Sequence, residues 1–369
     1  MKQKHILVLS NDTTNVYNFR LEVLKELINQ DFLITVVSEI LKHGDKLEAI
    51  GCRLLDIHVA RRKTNPFQDV KLFHNYLTIL RKENPDVVLT YNIKPNIYGG
   101  LACRLLKIPY LPNITGLGTA LETPGWLQRI AKRLYKIGVA GAACIFFQNE
   151  ENLNFFRTNK LLSKNNKTKL LPGSGVSLEK FKYLPYPDDS NGIEFLFASR
   201  ILKEKGIDIY LHAAEKITEK YPETTFHICG LCDDEKYLEI LKKAENNGYI
   251  EYHGEQKDMI PWYRRIHCLV HPTYYPEGMS NVLLEASASG RPIITTDRAG
   301  CREIVDDGKN GFMIPIRNNE ALVKAINEFM LLDLNSKKLI GEYGRMKVEK
   351  EFSRSIVVDI YLNEVRKAI

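Results

Sequence analysis

Two stretches of this 369-residue chain repeat one alternation, short β-branched runs separated by longer segments of helical spacing. That repetition limits the fold more than any other feature. In the first half, HILVLS (5–10), FLITVVS (32–38), DVVLTY (86–91) and CIFFQ (144–148) read as strands. NFRLEVLKELINQ and FQDVKLFHNYLTILRKEN read as helices between them. The second series comprises IEFLFAS (193–199), TTFHICG (224–230), YIEYHG (249–254), HCLVHPT (267–273) and RPIITTD (291–297). Strands joined through helices require crossover connections, so each half predicts a parallel α/β sheet. Residues 171–195 carry Pro, Gly, Asp and Ser without periodicity and read as the linker. The expectation is two α/β domains of about equal size, 1–178 and 179–349, with a cleft between them. A C-terminal helix at about 350–369 is expected to pack back on the first domain. In such sheets ligands sit at the carboxyl ends of the strands.

Several classes of protein are disfavoured early. No apolar run reaches the ~20 residues of a spanning helix, and MKQKHILVLSND reads as an opening strand rather than a secretory leader. A cytoplasmic location follows as an expectation. Seven scattered cysteines, an odd number, do not form a disulfide framework. The pair Cys229 and Cys232 reads as a buried strand end and its following loop rather than a redox or metal motif. The loop after the first strand, LSNDTTNVYNFR, contains no glycine, which removes the dinucleotide fingerprint. No phosphate-binding G-x-x-x-x-G-K-[ST], no H-E-x-x-H and no Asp-x-Asp pair that would hold a catalytic divalent ion on a sugar diphosphate occurs.

Charge is unevenly divided. Residues 1–170 hold 25 Lys and Arg against 14 Asp and Glu, whereas the remainder holds 27 against 31. A basic first half suits an anionic partner: nucleic acid, an anionic membrane or a diphosphate-bearing lipid.

Three segments of the second half should converge if its strands are parallel. In FASRILKEKGID (197–208), Arg200 and Lys205 flank the turn between a strand and a helix. Cations at a helix N-terminus oppose its dipole, so a bound diphosphate is the better explanation for them. In YPEGMSNVLLEASASGRP (275–292), Ser280 reads as an N-cap, and the backbone N–H groups around Gly278, Met279, Ser280, Asn281 and Val282 form an anion site. Glu277 precedes that helix and Glu285 lies within it, roughly 7 Å along at 1.5 Å per residue. The spacing fits a sugar at one carboxylate and a ribose at the other. It also fits a favourable helix-start charge and a partly buried, satisfied glutamate. In TTDRAGCREIVDDGKNGFMIP (295–315), Glu303 reads as a helix start and DDGKNGF as a hairpin-like turn.

Taken together, SRILKEKG, GVSLEKF (175–181), ICGLCDDEKY and the string EGMSNVLLE followed by ASASGRP resemble the retaining glycosyltransferases of family four. Members of that family have the GT-B fold of two facing Rossmann-like domains. The resemblance implies that Arg200 and Lys205 hold the donor diphosphate, with Glu277 on the donor sugar and Glu285 on the ribose. The loop at 230–232, with Gly230, and residues 253–259 would border the base, and Met279 and Asn281 the sugar. No metal cofactor is implied, and the donor is expected to be a nucleotide diphosphate sugar, UDP-linked. TYNIKPNIYGGLACRLLKIP (90–109) and TTD-x-x-GCRE (295–303) resemble bacterial members acting on undecaprenyl-diphosphate-linked sugars, including GalNAc transferases that extend a diacetylbacillosamine lipid. Transfer to a polyprenyl-diphosphate-linked saccharide is therefore expected, with Arg20 and Lys94 as acceptor-diphosphate candidates. No nucleic acid partner is expected; a nucleotide-sugar 2-epimerase and a basic nucleic-acid-binding protein are the rival readings. GWLQRIAKRLYKIG (125–138) sets Trp126, Ile130, Leu134 and Ile137 on one helical face and Arg129, Lys132, Arg133 and Lys136 around the other. That pattern suits a helix lying on the anionic inner face of a membrane.

Overall fold

The computed structural model describes residues 3–59, 66–118, 121, 125–190 and 192–369. They form two compact units. The first comprises Met1–Gly175, Pro276–Met279 and Arg354–Ile369, and the second Val176–Tyr275 and Ser280–Ser353. The chain passes from the first unit to the second at Gly175/Val176.

The first unit is built on a seven-stranded sheet. In chain order its strands are β1 (His5–Asp12), β2 (Leu33–Glu39), β3 (Arg53–Asp56), β4 (Val87–Tyr91), β5 (Tyr110–Ile114), β6 (Ile145–Phe147) and β7 (Thr168–Leu170). They lie in the order β3-β2-β1-β4-β5-β6-β7, and every pairing is parallel. Because side chains alternate across a strand, β1 feeds two cores. Leu7 and Leu9 join Val88, Tyr76, Ile145 and Tyr135 on one face. Ile6 and Val8 join Val16, Leu24, Val87 and Leu89 on the other. Helix Thr13–Asn29 starts directly after β1, where the Asp12 carboxylate accepts from Asn15 N–H at 2.8 Å. Helix Arg354–Ala368 packs against it, placing Val357, Tyr361 and Val365 in the second core. Each such fully buried apolar side chain contributes roughly 1.5–3 kcal/mol. Arg354 anchors the start of this helix by donating to the Glu22 carboxylate at 2.8 Å and to Gly175 O at 3.0 Å.

The second unit carries β8 (Glu194–Ala198), β9 (Thr225–Cys229), β10 (Glu251–Tyr252), β11 (Cys268–His271), β12 (Ile293–Thr296) and β13 (Gly311–Ile314). Their order is β10-β9-β8-β11-β12-β13, again with parallel pairing throughout. Phe195, Phe197, Phe226 and Ile228 pack under helices Ile207–Lys220 and Asn319–Met330. Helices Asn281–Ala288 and Leu334–Glu351 pack against each other.

Two expectations for the segment 300–311 are corrected. The turn DDGKNGF leads into β13, which pairs with β12 in parallel, so it is not a hairpin. Its shape comes from Asn310, whose side chain accepts from Asp306 N–H at 2.6 Å and donates to Ile304 O at 2.9 Å. Glu303 does not start a helix; its carboxylate accepts from Gly300 N–H at 2.7 Å and closes a local turn. All seven cysteines are unbridged, and only Cys232 is not fully buried. Burial pushes the Cys52, Cys144 and Cys229 thiols up to about 12.

Candidate functional site

In both sheets the strand order reverses beside the first strand, between β1 and β4 and between β8 and β11. Crevices outside the carboxyl ends of such strands are where open α/β sheets bind ligands. The second unit's crevice is formed by three turns sewn to one another. Tyr274 N–H donates to Glu204 O at 2.9 Å and the Thr273 hydroxyl to the same oxygen at 3.2 Å, tying 203–206 to the end of β11. Ile201 N–H donates to Leu231 O at 2.9 Å, tying the turn after β8 to the turn after β9. There a Cβ on Gly230 would stand 1.7 Å from Ser199 O, so only glycine fits.

Arg200 is exposed on this edge. Lys205, in the short helix Lys203–Lys205, holds its ammonium 4.9 Å from the centre of the Tyr275 ring. On the same unit, helix Asn281–Ala288 begins at Ser280, whose side chain makes no cap hydrogen bond. Ser280 N–H is instead spent on Gly300 O at 2.8 Å. The cap residue itself therefore supplies no side-chain acceptor to the first-turn amides, and the start of such a helix is the arrangement that favours an anion. The Asn281 Oδ1 is buried and has no hydrogen-bond partner among the described residues.

Glu285 sits one turn further along, half-buried, with Oε2 accepting from the Tyr263 hydroxyl at 2.9 Å. Tyr263 is fully buried, and its backbone carbonyl accepts from Arg291 Nε at 2.5 Å. Arg291 is itself buried, donates to Pro185 O at 2.7 Å, and is pushed down to about 10 by loss of water. A chain of buried polar groups from Arg291 through Tyr263 thus fixes where the Glu285 carboxylate points. The sequence pointed to Glu285 but gave no sign of Tyr263.

Glu277, Gly278 and Met279 group with the first unit. The Asn149 side chain donates to Gly278 O at 2.6 Å and to Glu277 O at 3.2 Å. Its own oxygen accepts from Asn152 N–H at 2.8 Å, capping helix Glu150–Thr158. A Cβ on Gly278 would lie 2.3 Å from both Thr115 O and Gln148 Oε1. Met279 is buried against Gly173. Sequence reasoning missed Gln148 and Asn149, although both follow directly from β6, where a ligand-proximal residue is expected. Around them the carboxyl edge of the first sheet is lined with amides. Asn92 Oδ1 accepts from the Ser10 hydroxyl and from Asn11 N–H, and Asn96 donates to Asn113 O at 2.8 Å.

Both acceptor candidates have partners within the first unit. Arg20 lies in helix Thr13–Asn29, 4% exposed, with its guanidinium 4.7 Å from the centre of the Tyr91 ring. Lys94 forms an ion pair with Asp69 at 2.7 Å, and Tyr98 donates to the other oxygen of Asp69 at 3.0 Å. Lys94 and Asp69 line a cavity of ≈ 230 Å³ together with His58, Gln68, Lys71 and Asn75.

Residues 5–149 match the family model described as Glycosyl transferase 4-like, and residues 185–347 match Glycosyl transferases group 1. The chain belongs to the family-four-like glycosyltransferases of the GT-B fold, and it is a hexosyltransferase. Among its relatives is the N,N'-diacetylbacillosaminyl-diphospho-undecaprenol alpha-1,3-N-acetylgalactosaminyltransferase of Campylobacter jejuni, 25% identical over 96% of each chain. The UDP-Gal:alpha-D-GlcNAc-diphosphoundecaprenol alpha-1,3-galactosyltransferase of Escherichia coli is also 25% identical, over 82% of this chain and 83% of its own. In fold the chain is similar to Anabaena Alr3699/HepE, solved in complex with UDP and glucose. That likeness has a TM-score of 0.81 at 15% identity and covers 99% of this chain and 100% of the other.

Proposed function

We propose that this enzyme transfers a hexose or N-acetylhexosamine from a UDP-sugar to a polyprenyl-diphosphate-linked saccharide in bacterial glycan assembly, retaining the configuration at the transferred carbon. The observation that carries the donor side of this reading is the edge of the second sheet. There Arg200 and Lys205 lie on turns tied to one another after β8, β9 and β11, and the same unit carries the start of helix Asn281–Ala288, where the Ser280 side chain makes no cap hydrogen bond. Two cations and a helix N-terminus stabilise the negative charge that grows on a departing diphosphate, with no metal assigned to that task. Glu285, fixed by Tyr263, is the ribose ligand, and Gly230 closes the base end. Glu277 takes the donor sugar, its carboxylate placed by the anchoring of its own carbonyl and that of Gly278 on Asn149. The acceptor reading draws support from the two relatives whose names specify undecaprenyl-diphosphate-linked substrates.

The same reading places the enzyme on an anionic membrane surface. Helix Trp126–Val139 buries Tyr135, Gly138 and Val139, while Trp126, Leu127, Ile130 and Ile137 stay exposed beside exposed Arg129, Arg133 and Lys136. Two of the residues expected on its surface have other contacts. Leu134 packs on the core, and the Lys132 ammonium lies 5.3 Å from the centre of the Phe155 ring. No helix among the described residues is long and apolar enough to cross a membrane.

The test is a screen of UDP-, GDP- and dTDP-sugars for nucleotide release, with and without polyprenyl-diphosphate-linked saccharides, followed by NMR of the anomeric centre formed. Release that depends on a UDP-sugar and on the lipid-linked acceptor, with retention, is the expected result. Inversion would overturn the stereochemical part. Donor turnover without acceptor, yielding an epimerised sugar nucleotide, would overturn the transfer reading.

A further inference from the structure

We infer that the second unit holds a divalent transition-metal site of the zinc type, with His227, Glu251 and His253 as ligands. The inference stands apart from sugar transfer and rests on the geometry of one sheet edge. His227 on β9 is the register partner of Glu251 on β10, and His253 follows Glu251 by two residues. With a side-chain period of two, Glu251 and His253 project on one face, the one that carries His227.

Three ligand atoms converge there. His227 Nδ1 lies 3.1 Å from His253 Nε2 and 3.2 Å from Glu251 Oε2, and His253 Nε2 lies 3.6 Å from Glu251 Oε2. Two ligands bound to one tetrahedral zinc at ~2.0–2.1 Å stand roughly 3.3–3.4 Å apart. The triangle therefore has the size that one such ion sets, before any side chain moves.

Protonation points the same way. His227 Nε2 lies 3.0 Å from Glu194 Oε2, and Glu194 also accepts from Arg265 Nε. An ionised carboxylate only accepts, so it keeps the proton on Nε2 and leaves a lone pair on Nδ1. That lone pair faces the two other atoms. With both rings neutral, at most one proton is shared among three acceptors, whereas a cation satisfies all three. A carboxylate behind the distal nitrogen of a metal-binding histidine is the usual outer-shell partner, fixing both tautomer and ring orientation. The Trp262 ring covers the site, 4.3 Å from the His253 ring and 5.5 Å from the His227 ring. The His227 side chain is fully buried, His253 is 23% exposed and Glu251 51% exposed, so the fourth position opens to solvent on the glutamate side.

Such an ion would brace a weak point of the sheet. Strand β10 is only two residues long and lies at the edge. The loop it leads into carries Gly254, whose carbonyl accepts from Gly230 N–H at 2.8 Å.

The test uses the full chain without a polyhistidine tag, stripped by chelator and titrated with Zn²⁺ and with Co²⁺. Expected are one equivalent of zinc per chain, a zinc-dependent rise in Tm, and visible cobalt absorption of tetrahedral type without a thiolate charge-transfer band. Because His227 is fully buried, the partners are substituted instead: His253→Gln and Glu251→Gln should each weaken zinc binding by at least about tenfold, the loss that even outer-shell changes produce. Both variants should also abolish the rise in Tm. The proposal is overturned by an absence of saturable binding, by a thiolate band that assigns the metal to cysteine, or by binding that survives both substitutions.

Discussion

The side-chain nitrogen of Asn149 stands 2.6 Å from the carbonyl oxygen of Gly278, while the oxygen of the same amide caps helix Glu150–Thr158. One side chain thus does two separable jobs. Asn149→Asp keeps the cap but turns a carboxylate oxygen toward the Glu277 and Gly278 carbonyls, so sugar transfer should fall by tenfold or more and Tm should fall through the lost donor alone. Asn149→Ala loses both and should also lose about 1 kcal/mol of stability with the cap. Thermal melts beside acceptor-dependent nucleotide release separate the two. Equal transfer by the Asp variant and the wild type would detach Asn149 from the placement of Glu277.

Gly278→Ala has no such divisible outcome. Its methyl group would meet the Thr115 carbonyl and the Gln148 amide at 2.3 Å. The backbone must shift, at roughly 1–3 kcal/mol for an overpacked site. A variant that melted and turned over like the wild type would contradict the packing described.

On the donor side, Arg200→Ala and Lys205→Ala should each lower kcat/KM for the UDP-sugar by about a hundredfold. That corresponds to a charge-assisted contact of roughly 2–3 kcal/mol. Arg200 is exposed, so its loss should leave Tm unchanged. Tyr263→Phe is the sharper probe of Glu285: it removes only the hydroxyl that holds Glu285 Oε2. Its effect should appear mainly in donor KM, read by initial rates over a range of donor concentrations.

His267 gives the second unit a predictable acid limb. Its Nδ1 accepts from Glu194 N–H at 3.0 Å and its Nε2 lies 3.2 Å from Asp188 O, an arrangement that wants one proton on the ring. Burial lowers its pKa below the ordinary 6.5, although Asp188 O, Glu194 and Asp189 pull the other way. The unfolded chain therefore takes up a proton that the folded chain resists. Stability is complete above about pH 6.5 and falls as pH drops from there through the depressed folded value. His267→Gln should flatten that part of the stability profile in urea melts. An acid limb of unchanged slope would show that other groups set it.

For the membrane, Trp126→Ser combined with Ile130→Ser should abolish sedimentation with anionic vesicles at low salt. Both side chains are exposed, so stability should move by no more than about 0.5 kcal/mol. Retention on vesicles by that variant would leave the helix without the role given to it.

How much of this could be read in the sequence depended on whether the determinant was local. The strands with long β-branched runs, such as His5–Asp12 and Leu33–Glu39, announce themselves, as does the pair of cations around the turn after β8. Short edge strands do not: RLLD and TKL are too brief to show a period. Strand β5 was hidden for another reason. YLPNI carries a proline, which lacks an N–H and argues against an interior strand, yet Pro112 pairs in register with Thr90. The partners of site residues were the hardest to see. Asn149 reaches a carbonyl 129 residues away, and Lys94 finds Asp69 25 residues earlier; no local pattern records either. Arg20 was visible as a cation but not as one laid over the Tyr91 ring inside a core.

The cysteines offer an experimental route of their own. Six of the seven thiols are buried, and Cys232, two residues beyond Gly230, is the exception. A thiol-reactive fluorophore added to the native, unmutated chain should therefore attach at one place, in the turn after β9. The natural sequence already supplies a reporter beside the end of the site assigned to the nucleotide base, so donor binding can be followed by emission without engineering a cysteine-free background.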